Sequence, residues 1–232
     1  MTFTASDAAG GSASAEVALQ AGEGAPLLEG LRNAASGSSE AVCSPGALAT
    51  AGGGWFGSGG TQVRVNGAPV AVVAASPTAV TFVCPDAAVG TTLQVEVETA
   101  QGRSAVLSTL MRDSALGIFQ VGILGIAPAA LPRNPRQEGK PAQPGDQLQI
   151  TVTGIAADTD PGLVTVQLGD LPVRAEWVRP LEGAAGIVQI GVALPGAMPV
   201  GDSVPITVQR RLPDGRVTSS QTVAAAFEAV RQ

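Results

Sequence analysis

The sequence predicts an all-β fold: two tandem immunoglobulin-like β-sandwiches preceded by an N-terminal β-hairpin. Three observations predict it. Short runs alternate apolar and polar residues with the period of two that a half-buried strand requires. These runs are punctuated by 30 glycines and 17 prolines, a turn-rich composition that stays below the range of disordered chains. And the same order of valine pairs and Gly/Pro turns occurs twice along the 232 residues, a length that accommodates two domains of about 100 residues each.

The elements follow in order. Residues 1–22 form the N-terminal hairpin and linker. Thr2 to Ala5 alternates, Asp7 to Gly11 turns, and Ser12 to Leu19 alternates again, with Ala13, Ala15, Val17 and Leu19 on one face. A lone hairpin is marginal in water, so this one needs a partner sheet. Residues 23–112 form the first module. Thr61 to Val65 alternates into Asn66-Gly67, the strongest short hairpin signal, and Pro69 to Ala74 returns. Ser76-Pro77-Thr78 turns into a strand from Ala79 to Cys84, and Thr92 to Thr99 sets Leu93, Val95 and Val97 against Gln94, Glu96 and Glu98. Such one-sided burial is the mark of an antiparallel sandwich sheet. Residues 113–146 are a connecting segment, apolar through Ile126 and proline-rich from Pro128 to Pro144. Residues 147–232 form the second module. Its strands are seeded by Leu148-x-Ile150-x-Val152, Val164-x-Val166-x-Leu168, Val173-x-Ala175-x-Trp177, Val188 to Leu194 and Val204-x-Ile206-x-Val208, and Pro213-Asp214-Gly215 turns into the closing strand.

The two modules read as an internal duplication. Val63-x-Val65, Gly67-x-Pro69-Val70, Val83-Cys84-Pro85, Val89-Gly90 and Val95-x-Val97 correspond in order to Val164-x-Val166, Gly169-x-x-Pro172-Val173, Ala193-Leu194-Pro195, Val200-Gly201 and Ile206-x-Val208. Val-x-Val pairs arise by chance; ordered Gly/Pro punctuation between them does so far less readily.

Composition excludes several functions. The net charge is −6 and Lys140 is the sole lysine, so no phosphate-facing basic surface exists and no nucleic acid is expected as a partner. No apolar run is long enough to cross a membrane as a helix, and no membrane insertion is expected. Histidine is absent, which removes the usual general base near neutral pH and the commonest zinc ligand. No catalytic residues, metal or cofactor are assigned. The first residues lack the charged and apolar regions of a signal peptide, so an exported protein with this start is a mature form or a piece of a longer chain.

Few residues are candidates for a role. Cys43 and Cys84 are an even pair in a β-rich chain, which suits one disulfide and an oxidising compartment; two buried thiols are the other reading. Gly52 to Gly60 is read as a flexible glycine-rich loop with Trp55-Phe56 as an aromatic anchor, buried at a sandwich edge or exposed as a binding patch. It lacks the Lys-Ser/Thr of a phosphate loop. Glu96 and Glu98 share a strand face, as the paired acids of a glycosidase might, but without an aromatic platform they read as a solvated face. Asp158 and Asp160 sit in a tight turn with too few oxygens for calcium. Phe3, Val17 and Leu19 are interaction candidates through the apolar face of the hairpin.

A resemblance adds to this. Asn33-Ala-Ala-Ser36, Ser44-Pro-Gly46, Val65-Asn-Gly-Ala-Pro-Val70, Ser76-Pro77, Thr81-Phe-Val-Cys-Pro85, Gly117-Ile-Phe119, Ala142-Gln-Pro-Gly-Asp146 and Gly186-Ile-Val-Gln189 together resemble an uncharacterised C-terminal domain of large exported acidobacterial proteins, over residues 27–227. Cys43 and Cys84 stand where that family has ordinary residues. The resemblance implies a pair of immunoglobulin-like sandwiches on an exported protein and supplies no activity. Separately, Thr2 to Ala15 resembles the last hairpin of the putative-Ig or cadherin-like repeats of bacterial adhesins, as if cut from a preceding module.

The expected role is therefore a non-catalytic structural or adhesive protein, extracellular or on the cell surface. It is expected to serve as a stalk or a filament subunit, self-assembling with neighbouring subunits by strand addition through the hairpin. A glycan partner, for a carbohydrate-binding module of a larger secreted protein, is the alternative.

Overall fold

The computed structural model describes residues 2–6, 8–16, 24–57, 59–120 and 141–229, with 2–5 and 13–16 described by backbone alone. Apart from one 3-10 turn the regular elements of the described residues are all β, antiparallel within their sheets, with two isolated parallel bridges outside them. Strands β1 (Thr2–Ser6) and β2 (Ser12–Glu16) form the hairpin and pair with each other, from Thr2 opposite Glu16 to Ser6 opposite Ser12. Neither adds a strand to another sheet.

The first module contains β3 (Leu27–Asn33), β4 (Leu48–Gly54), β5 (Gln62–Val65), β6 (Ala68–Val70), β7 (Val72–Ser76), β8 (Ala79–Val83), β9 (Thr92–Thr99), β10 (Gly102–Arg103) and β11 (Leu107–Leu110). One sheet has the order β3-β4-β8-β7; the other runs β10-β9-β5-β6, with β11 also on β9. The second module contains β12 (Gly117–Ile118), β13 (Gln147–Thr153), β14 (Val164–Leu168), β15 (Leu171–Arg174), β16 (Trp177–Pro180), β17 (Val188–Ala193), β18 (Gly201–Arg211), β19 (Val217–Ser219) and β20 (Val223–Phe227). Its sheets are β12-β13-β17-β16 and β15-β14-β18-β19, with β20 also on β18. Strand for strand, this is the topology of the first module. β12 lies within the stretch read as a connector and opens the second sandwich by pairing with β13. Residues 121–140 of that stretch lie outside the described residues.

Each module closes on its own core. Leu28, Ala51, Val80 and Phe82 of one sheet meet Val63, Val65, Leu93, Val95 and Val97 of the other. In the second module Ile118, Leu148, Ile150, Val152, Ile190 and Val192 meet Val164, Val166, Leu168, Ile206, Val208 and Phe227. The alternating residues of the sequence are thus the inward faces of both sheets, as sandwich packing requires.

The duplication extends to single hydrogen bonds. The Ser104 hydroxyl accepts from Val97 N at 3.0 Å and donates to Ala105 O at 2.8 Å; Ser220 accepts from Val208 N at 3.0 Å and donates to Gln221 O at 2.8 Å. Cys43 bridges Met111 in parallel as Ala142 bridges Phe227. Gly46 N donates to Cys84 O as Gly145 N donates to Leu194 O. These bonds correct the correspondence read from sequence at one place. Val63 pairs Val97 and Val166 pairs Val208, so Val63-x-Val65 matches Val166-x-Leu168 and not Val164-x-Val166. A run of alternating valines repeats every two residues and cannot register itself.

Four strand readings change; the closing strand read after Pro213-Asp214-Gly215 is two pieces, β19 and β20, both paired with β18. The run from Pro69 to Ala74 is two strands, β6 in one sheet and β7 in the other, because the chain crosses between sheets at Ala71, whose carbonyl accepts from Val83 N at 2.9 Å. Val173 to Trp177 divides between β15 and β16 in the same way. Gly52 to Gly54, read as part of a loop, completes β4 opposite Leu27, Leu28 and Gly30. A Cβ on Gly53 would lie 1.8 Å from the Leu27 carbonyl oxygen, so the glycines permit close strand approach rather than flexibility.

Candidate functional site: the module junction and the Trp55 end

The junction between modules is built from the Asn33 to Ser36 turn. The Asn33 carboxamide oxygen accepts from Ala35 N at 3.0 Å and Ser36 N at 2.9 Å, which shapes the turn. Its amide nitrogen donates to Ala115 O at 2.7 Å, tying the turn to the chain that enters the second module. The Thr153 hydroxyl spans the two modules, accepting from Leu48 N at 2.8 Å and donating to Gly186 O at 2.7 Å. The Gln221 side chain accepts from Ile118 N at 3.0 Å and donates to Ile118 O at 2.6 Å and Ala35 O at 3.3 Å. Arg216 reaches Asp113 at 2.5 Å on the rim. Within this polar frame Ala34, Ala35, Leu48, Phe119 and Ile187 form a third buried cluster.

Glycines set the closeness of the contact. A Cβ on Gly117 would meet the Asn33 carboxamide oxygen at 2.7 Å and one on Gly154 the Ala115 oxygen at 2.1 Å; on Gly186 it would meet Leu48 at 2.8 Å. Gly154 and Gly186 also hold positive φ, at 82° and 75°. Beside the junction a groove of about 600 Å³ is lined by Pro45, Ile155, Ala157, Pro180, Leu181 and their neighbours. Its lining contains no aromatic residue, and Glu182 is its one ionisable group.

The sequence candidates divide. Cys43 and Cys84 are joined in a disulfide with Cα atoms 5.7 Å apart. Both are buried at the end of the first core. Trp55 and Phe56, read as one unit, are separated by the structure: Phe56 is fully buried, whereas Trp55 is 51% exposed with φ of 57°. Its ring rests against Gly24, where a Cβ would stand 3.7 Å away. Phe3 lies in β1 opposite Ala15, with its side chain outside the description, and Val17 and Leu19 lie outside the described residues.

Three of the four candidate carboxylates are committed to structure, and Asp158 lies exposed in its loop. Glu98 binds Arg64 Nε across the β5–β9 pair and lies 3.5 Å from Arg103, while Glu96 lies 3.3 Å from Arg103. The hydrogen bond from Arg64 holds the Glu98 carboxyl below its usual range, helped by the positive charges of Arg103 and Arg64. Asp160 caps a single 3-10 turn, Pro161–Leu163, through Gly162 N at 2.8 Å. Among the described residues no cluster of acidic or sulfur side chains has the makings of a metal site.

Trp177 was not singled out from sequence. Its ring covers Gly191, where a Cβ would fall 2.0 Å from the indole, and in turn carries the Arg179 guanidinium 4.9 Å from its centroid. A cross-strand glycine opposite a tryptophan, with an arginine two residues on, was the available signal.

No family model and no curated protein matches the chain. Among solved structures it is similar to a gamma-CGTase from Alkalophilic bacillus clarkii, with 13% identity and a TM-score of 0.34 over 98% of this chain. It is also similar to SGBP-B of the Bacteroides ovatus mixed-linkage glucan utilization locus, solved with a mixed-linkage heptasaccharide, with 11% identity and a TM-score of 0.42 over 98% of this chain. The chain spans 30% of the first protein and 54% of the second. At these TM-scores neither likeness bears on activity. What the structure establishes is a tandem β-sandwich with one disulfide and, among its described residues, no helix long and apolar enough to cross a membrane.

Proposed function

We propose that the chain is a non-catalytic structural segment of an exported surface protein, a stiff spacer of the kind that carries adhesive or catalytic modules away from a cell. The observation that carries this reading is the junction. Two sandwiches held only by a linker would swing, whereas Thr153, Gln221 and Asn33 each hydrogen-bond across or beside a buried contact, which fixes their relative angle. The disulfide fits an extracellular setting. The carboxylates that might have served catalysis hold arginines instead. The test is solution scattering together with calorimetry. One elongated rigid particle and a single cooperative transition are expected. Separate melting of the modules, or scattering that requires a freely hinged pair, would refute the spacer. In a filament form of this reading the β1–β2 hairpin joins neighbouring subunits, and deleting residues 1–22 would then abolish assembly.

Carbohydrate binding is the second reading, and Trp55 favours it as an exposed aromatic side chain. Sugar platforms need aromatic faces, and here Phe56, Phe82, Phe119 and Phe227 are buried and Trp177 carries Arg179. A glycan array with the intact chain and Trp55→Ala tests it: binding lost in the variant establishes the reading, and no binding removes it.

A further inference from the structure

The internal repeat gives the Trp55 end of the first module an equivalent in the second. Leu148, Ile150 and Val152 of β13 occupy the places of Ala49, Ala51 and Gly53 of β4, because Gly46 N and Gly145 N make the same bond one strand-start earlier, to Cys84 O and Leu194 O. Continued by two residues, this register sets Gly154 against Trp55 and Ile155 against Phe56. Trp55 and Gly154 share positive φ, at 57° and 82°, and Phe56 and Ile155 are both buried. On the paired strand, Gly117 opposite Thr153 takes the place of Leu27 opposite Gly54.

In the second module this end is covered. Gly117 and Gly154 lie in the junction, against Asn33, Ala35 and Ala115. In the first module the same two positions carry Leu27, 46% exposed, and Trp55, 51% exposed. Two large apolar side chains thus stand exposed at the positions that elsewhere in the same chain are buried under a neighbouring sandwich. We propose that this end of the first module docks a further β-sandwich unit, carried upstream in the same polypeptide and seated end-on as the first module is seated on the second. The inference rests on the spacer reading and extends it.

The opposite end of the molecule identifies which kind of unit fits. Leu48, the buried plug of the junction, corresponds to Gln147 in the second module, and Ala47 to Asp146. Gln147 donates to Glu176 at 3.0 Å rather than entering an apolar contact. At these two positions the second module is therefore polar where the first is apolar, and a second copy docked head to tail would set Gln147 and Asp146 on Trp55 and Leu27. An upstream sandwich whose exit turn resembles Ala34-Ala35 and Leu48 does not carry that mismatch. Because Leu27 and Trp55 replace glycines, such a unit sits about one side-chain layer further out than in the existing junction and meets the indole itself.

The test extends the chain by one unit with its own residues. A second copy of residues 27–113 is placed directly ahead of Gly24, in place of residues 1–23, which reproduces the spacing by which Asp113 leads through Ser114 into β12. Trp177→Phe throughout and Trp55→Phe in the added copy leave one tryptophan, at the new joint. Acrylamide quenching of that tryptophan should fall severalfold relative to the 232-residue chain carrying Trp177→Phe, as a half-exposed ring becomes a buried one. Leu27→Ser at the joint should lower the melting temperature of the extended chain more than that of the 232-residue chain. Unchanged quenching, or an equal loss in both chains, overturns the proposal. Concentration-dependent protection of Trp55 in the 232-residue chain gives the surface to a second copy and also overturns it. Failure of the spacer reading is separate, since it appears as two independent transitions in the unextended chain.

Discussion

The disulfide offers a quantitative test, because the second module shows what the same position looks like without one. Cys43 and Cys84 enclose a sequence separation of 41. On the chain-entropy account, closing a loop of that length restricts the unfolded chain enough to contribute about 4 kcal/mol. Cys43→Ala with Cys84→Ala removes that constraint and leaves a void where both sulfurs were buried. The equivalent residues of the second module are Ala142 and Leu194, both buried in the same hydrogen-bond frame. Cys43→Ala with Cys84→Leu transplants that pair. It loses the same loop constraint but fills the site, and should recover about 2 kcal/mol of the loss, the scale of a buried Leu against Ala. The assay is equilibrium denaturation of the oxidised parent and the two double variants in urea. The expected order is parent, then Ala/Leu, then Ala/Ala. An Ala/Leu variant no more stable than Ala/Ala would refute the equivalence of the two sites. A parent no more stable than Ala/Ala would refute the stabilising role of the bond.

The remaining predictions concern the junction, the repeated serines and one carboxylate. Thr153→Val keeps the shape but strands Leu48 N and Gly186 O, costing about 2 kcal/mol in denaturation; rescue by Thr153→Ser, which restores the hydroxyl, distinguishes a hydrogen-bond loss from a packing defect. Ser104→Ala and Ser220→Ala each leave a buried strand amide unpaired, Val97 N or Val208 N, and should cost about 1–3 kcal/mol apiece, equal within error if the two devices are the same. Glu98 has its folded pKa depressed by Arg64. Its stabilisation is therefore fully present above the unfolded carboxyl's pKa and is lost as pH falls through the lower folded value. Glu98→Gln should flatten the acid limb of a stability–pH curve, and an unchanged limb would show that the pair contributes nothing.

The sequence by itself determined the fold class, the inward faces and the existence of a repeat, because a strand's side-chain period of two and the backbone demands of Gly and Pro turns are local properties. Leu93-x-Val95-x-Val97 needed no tertiary information to be read as one buried face. Where the local signal was silent, the reading failed. Gly52 to Gly54 looked like a loop because glycine has no strand preference, and only the carbonyl of Leu27 lying against Gly53 made the strand visible. The correspondence of Val63 with Val166 rather than Val164 was equally hidden, since alternation carries no origin and register is fixed only by the partner strand. The site features followed the same division. Two cysteines announced a disulfide from their number, but not that it stands in the place of an alanine and a leucine. Trp55 and Phe56 are neighbours in sequence and opposites in space, because the positive φ at Trp55 turns one ring into the core and the other outward. The junction was legible only as the motifs Asn33-Ala-Ala-Ser36 and Gly186-Ile187. That these meet, with Thr153 bonded to both sides, depends on contacts between residues more than a hundred positions apart, and only the packing of one sandwich on the other decides them.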